Sequence, residues 1–90
     1  MDEIDITDST FALNNNTTGS FNVSIGDNAL SNNLTGGSNT AMGYQAMQSN
    51  TTGSNNVAIG LESLKSSTTV GGNVGVGRGT LSSIINTVGN

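Results

Sequence analysis

Five residues return four times in this chain at one fixed interval. Asn22-Val23-Ser24-Ile25-Gly26, Asn39-Thr40-Ala41-Met42-Gly43, Asn56-Val57-Ala58-Ile59-Gly60 and Asn73-Val74-Gly75-Val76-Gly77 each begin 17 residues after the last, with no slippage. A fixed period with an apolar, mostly β-branched centre predicts that each copy is one coil of a stacked solenoid. One coil alone cannot bury its apolar face and needs neighbours along the stack.

Alternation within the motif gives two faces, because successive side chains of a strand point to opposite sides. Val23, Ile25, Met42, Val57, Ile59, Val74 and Val76 share one face, on which Thr40 is the polar exception, and this large face predicts a core. The other face carries only Ser24, Ala41, Ala58 and Gly75. Stacked copies make a parallel sheet with strands about 4.8 Å apart. The small residues then form a smooth column, which is the expected contact between subunits. The alternative is that they face the tight interior of a thin coil.

Each motif ends in Gly, which suits a tight turn. The pairs Ala29-Leu30, Ala46-Met47, Ser63-Leu64 and Thr80-Leu81 follow, and they predict a returning strand. Leu30, Met47, Leu64 and Leu81 are expected to enter the core opposite the first strand, giving two short strands per coil. A second corner reads Asn16-Thr17-Thr18-Gly19, Asn33-Leu34-Thr35-Gly36 and Asn50-Thr51-Thr52-Gly53, with Ser67-Thr68-Thr69-Val70 as a worn copy. Asn, Thr and Gly are turn formers, so this corner needs no functional explanation. Asn22, Asn39, Asn56 and Asn73 predict an amide ladder along the stack.

With 90 residues, no Trp, one Tyr and two Phe, a single chain buries little apolar surface, which argues for an oligomer. Asn, Thr, Ser and Gly dominate, a composition of disorder in an aperiodic chain; the strict period argues for order.

Charge divides the chain into an acidic segment over residues 1–16 and a repeat domain over residues 17–90. Asp2, Glu3, Asp5 and Asp8 are four of the six acidic residues, whereas Asp27 and Glu62 balance Lys65 and Arg78 in the body. In register, Asp8 takes the place of a core Ile. An inward charge at an edge deters further pairing, so residues 1–16 read as a cap, with Phe11 covering the same end. As an alternative, Asp2, Glu3 and Asp5 anchor the chain to a partner by charge. At the other end Ile84 and Ile85 replace polar corner residues and call for cover or a docking partner.

Several classes of function lack a chemical basis. A neutral body with almost no aromatic residues offers nucleic acid neither charge nor stacking. No apolar run reaches membrane-spanning length, and an acidic start is the reverse of a secretion signal, so no membrane insertion or signal-directed export is expected. Without His or Cys, a hydroxyl nucleophile has no ordinary base, and no enzyme is expected. Gly75-Val76-Gly77-Arg78-Gly79 lacks phosphate-loop spacing, and no metal or cofactor motif is present. The N-x-[ST] triplets, as at Asn16, Asn33 and Asn50, follow from composition.

The pattern N-x-A-[IMV]-G-x-x-A-[LM], followed by N-T-T-G and then N again, resembles the head repeats of trimeric autotransporter adhesins. It is still more similar to the N-T-A-x-G-x-x-A-L repeats of bacteriophage tail-fibre proteins. The resemblance runs over roughly residues 12–90 and implies an all-β, left-handed parallel β-roll assembled as a homotrimeric β-prism. The N-x-A-[IMV]-G strand would pack towards the three-fold axis. No coiled-coil stalk or anchor barrel accompanies these repeats, so the expectation is a short virion protein: a tail-fibre, baseplate or capsid-surface trimer on the phage particle. Its partners would be other virion proteins and a host cell-surface glycan or protein; Tyr44, Leu61 and Arg78, which vary from coil to coil on the outer edge, are candidate contacts, the alternative being ordinary surface variation. A competing reading is an ice- or surface-binding β-solenoid, suggested by Thr18, Thr35, Thr52 and Thr69 in one column and Thr17, Thr51 and Thr68 in the next. Leu34 breaks the second column.

Overall fold

The computed structural model describes residues 11–82. Within them lie four strands of three residues each: β1 (Val23–Ile25), β2 (Thr40–Met42), β3 (Val57–Ile59) and β4 (Val74–Val76). They form one parallel sheet in the order β1-β2-β3-β4. Val23 stands beside Thr40, Thr40 beside Val57 and Val57 beside Val74, so the pairing advances by the sequence period at every step. The chain is all-β and built by stacking, as the repeat predicts. The acidic cluster Asp2, Glu3, Asp5 and Asp8 and the pair Ile84 and Ile85 lie outside the described residues.

The strand glycines close the first corner. Gly26, Gly43, Gly60 and Gly77 have φ of 122–131°, a region that L side chains rarely adopt. A Cβ on Gly43 would stand 2.6 Å from the Gly60 carbonyl oxygen of the next coil. Both backbone conformation and coil spacing therefore require glycine here.

The return path is not a second strand. Leu30, Met47, Leu64 and Leu81 have φ of 52–53°, in the left-handed region. Their backbone runs as consecutive turns: Ala46 N–H donates to the Gly43 carbonyl at 3.1 Å, Gln48 to Gln45 at 3.2 Å and Asn50 to Met47 at 3.1 Å. The intervening groups reach the next coil, with Met47 N–H on the Ser63 carbonyl at 2.9 Å and Ser49 N–H on Lys65 at 3.1 Å. A left-handed Leu costs of the order of 1–3 kcal/mol. Complete burial of the same side chain returns about as much.

That burial corrects the expected inside and outside of the coil. Leu30, Met47 and Leu64 are fully buried as expected, and Leu13 and Leu81 pack against them at the ends. Their partners across the interior are the small strand residues: Ala41 and Ala58 are also 0 % exposed, and Gly75 is buried. A Cβ on Gly75 would lie 3.5 Å from the Leu81 side chain, and the space is occupied by the hydroxyls of Ser63 and Thr80, which are 2.9 Å apart. Ser24, the remaining member, donates to the Ala29 carbonyl at 2.7 Å. The column Ser24, Ala41, Ala58, Gly75 thus lines the coil interior and is not a contact surface. The coil is too thin for a Leu from the return path and a Val from the strand to meet, so the strand contributes only Cβ-sized groups.

Candidate functional site

Turning the small residues inward turns the large ones out. Val23, Met42, Ile59, Val74 and Val76 are exposed by 36–63 %, and Ile25, Thr40 and Val57 of the same face are half-buried. These eight side chains, assigned to the core on sequence except for Thr40, instead form an apolar surface on one face of a four-stranded sheet. Scattered apolar residues on a surface are ordinary, whereas a contiguous set on one sheet face is a candidate interaction surface.

Two amide ladders tie successive coils together. In the expected one, the Oδ1 of Asn22, Asn39 and Asn56 accepts the backbone N–H of Asn39, Asn56 and Asn73 at 2.9–3.0 Å. The Nδ2 of Asn22, Asn39 and Asn56 donates to the carbonyls of Gly36, Gly53 and Val70 at 2.8–2.9 Å, tying strand to corner. A second ladder, not foreseen from sequence, runs through the Thr-rich corner. Asn33 Nδ2 donates to Asn16 Oδ1 and Asn50 Nδ2 to Asn33 Oδ1, both at 2.8 Å. Each of these nitrogens also reaches the glycine carbonyl three residues on, at 3.0–3.1 Å. The recurrence of Asn at positions 16, 33 and 50 carried that signal, hidden by the turn propensity of the residue. Asn33 and Asn50 are fully buried with their amide nitrogens engaged, so their N-x-[ST] triplets are closed to modification in the folded chain.

The Thr columns differ in role. Thr18, Thr35, Thr52 and Thr69 are all exposed, whereas the hydroxyls of Thr17 and Thr51 donate to the carbonyls of Leu34 and Thr68 at 2.8 and 3.2 Å. Thr17 and Thr51 therefore spend their hydroxyls on coil stacking, while Thr18, Thr35, Thr52 and Thr69 form an exposed row.

Tyr44, Leu61 and Arg78 are exposed on successive coils just after the strand glycine. Tyr44 Oη accepts from Gln45 Nε2 at 3.2 Å. The described residues form no cavity around them, and among these residues no three acidic side chains converge as a metal site would need. Phe11, expected to cover the end of the stack, is 58 % exposed. Comparison with family models, with curated proteins and with solved structures finds no match for the chain.

Proposed function

We propose that this chain is a structural subunit of a bacteriophage appendage, a tail-fibre, baseplate or capsid-surface component, built as a left-handed β-roll. It assembles as a homotrimer through the exposed face of its sheet. The observation that carries this reading is the contiguous apolar face of Val23, Ile25, Met42, Val57, Ile59, Val74 and Val76 on a framework of buried amides. Such a face gains stability when it is covered, and its strict periodicity suits a partner with the same period, which a second and third copy of the chain supply. The resemblance of the N-x-A-[IMV]-G-x-x-A-[LM] pattern to phage tail-fibre repeats adds the particle. In the trimer the outer column Tyr44, Leu61 and Arg78 stays accessible to a host cell-surface glycan or protein, and other virion proteins join at the ends.

Light scattering on the purified chain tests the assembly: three copies per particle are expected, and a folded monomer at micromolar concentration refutes it. Mass spectrometry and electron microscopy of purified virions test the location. Thermal hysteresis, which a trimeric appendage would not show, would move the assignment to an ice-binding surface.

A further inference from the structure

The fourth copy of the corner departs from the other three at two positions together: Ser67 stands where Asn16, Asn33 and Asn50 stand, and Val70 where Gly19, Gly36 and Gly53 stand. The two changes are sterically linked. A Cβ on Gly19, Gly36 or Gly53 would lie 2.4–2.6 Å from the Oδ1 of the Asn three residues before it. Shortening Asn to Ser removes that obstacle, and Val70 fits with 1 % exposure. A second obstacle belongs to the stack itself. The same Cβ would lie 2.1–2.3 Å from the carbonyl oxygen of the equivalent residue one coil on. No side-chain movement relieves that contact, since both atoms belong to or adjoin the backbone. A coil laid over Val70 in the regular register would place its carbonyl on the Val Cβ.

Broken hydrogen bonds flank the exchange on both sides. Asn50 Oδ1, which a following Asn amide would meet, is buried with no partner. Asn73, fully buried, has no partner on either Nδ2 or Oδ1. Its counterparts Asn39 and Asn56 use Nδ2 on the corner carbonyl of the next coil and Oδ1 on the next Asn N–H. The backbone shows the same loosening. Three N–H groups, of Thr17, Thr18 and Gly19, meet the Leu34 carbonyl, and those of Leu34, Thr35 and Gly36 meet Thr51, but only Thr51 and Thr52 meet Thr68.

We propose that Ser67 and Val70 act as a paired stop that ends regular stacking at the fourth coil. Unpartnered buried amides destabilise a fold, so the exchange is unfavourable to the coils below it. What it provides is an end: a further coil of the same geometry cannot be laid over Val70 in the regular register, because its carbonyl would fall on the Val Cβ. The stop thereby fixes the length of the roll, and it is independent of how many chains surround the axis.

The test uses two lengthened chains of equal size. Each carries one additional copy of residues 39–55 inserted after Gly72. In the first, Ser67 and Val70 stay in place, now beneath the added coil. In the second the pair is moved up, by Ser67→Asn and Val70→Gly together with Asn50→Ser and Gly53→Val in the copy. Circular dichroism and denaturant unfolding are then compared with the parent chain. The second chain is expected to gain β-signal and to unfold in a single transition at or above the parent midpoint. The first should unfold at a lower midpoint or in two steps. Equal midpoints for both chains overturn the stop, and so does failure of the second chain to fold, since moving the pair should restore a regular stack.

Discussion

The side chain on which this fold most depends is a buried primary amide with both ends used. Asn33 Nδ2 is shared between Asn16 Oδ1 and the Gly36 carbonyl, while its Oδ1 accepts from Asn50. Asn33→Ala leaves Asn16 Oδ1 without its donor and removes one of the two bonds at the Gly36 carbonyl and at Asn50 Nδ2, so a loss of about 1–3 kcal/mol is expected in denaturant unfolding. Asn33→Asp keeps the shape, but it turns two donors into acceptors facing two oxygens and buries a charge. At neutral pH it should unfold at a lower denaturant concentration than the Ala variant; the reverse order would mean that the ladder is wet. Glycine gives a matched pair of tests. A Cβ on Gly36 meets the Gly53 carbonyl at 2.2 Å, whereas on Gly37 the nearest atom is the Ser20 carbonyl oxygen at 3.0 Å. Gly36→Ala should cost at least the upper part of the overpacking range of about 1–3 kcal/mol, and Gly37→Ala distinctly less.

At the scale of the strand, the repeat motif carries two different messages, of which only one was legible in the sequence. Period and alternation identified the parallel register and the two faces, and both follow from backbone geometry alone. Which face is inside depends on the thickness of the coil. That is set by the return path, where Leu30, Met47 and Leu64 sit at positive φ and form turns. No residue preference announces a left-handed Leu, so the pairs Ala29-Leu30 and Ala46-Met47 read as strand. Once the return path is a turn, it lies close behind the sheet, and Ala41 and Ala58 are all that fits. The corner amides were present in the sequence for the same reason as the strand amides, but turn chemistry explained them first. Two substitutions on β3 separate the faces. Ala58→Leu must place three extra carbons in the coil interior and should lower stability by about 1–3 kcal/mol or more, whatever the assembly. Ile59→Ser touches nothing that the interior uses; it should preserve the coil's circular dichroism while weakening association. If Ile59→Ser instead unfolds the chain at all concentrations, the exposed face is part of the single-chain core.

At the scale of the whole molecule, electrostatics contributes little to cohesion among the described residues. The ion pair among the described residues, Lys65 Nζ to Glu62 Oε2 at 3.4 Å, is exposed on both sides; Lys65→Ala should cost less than about 1 kcal/mol. Cohesion rests instead on amides within the chain and, in the proposed trimer, on the sheet face between chains, and the two respond differently to dilution. Hydrogen bonds inside a coil form at any concentration. A face that is covered only by other copies couples folding to association, so the native state is favoured by mass action and the melting temperature rises with protein concentration. If three chains share the face, the unfolding midpoint should climb steadily over about a hundredfold range of concentration, and light scattering should show trimer giving way directly to unfolded chain. Ile59→Ser should lower the midpoint most at the dilute end, where association is weakest, whereas Asn33→Ala should lower it by a similar amount throughout. A midpoint that stays constant on dilution, with β-content intact, would show that one chain's amide ladders suffice and that the apolar face awaits a partner other than itself.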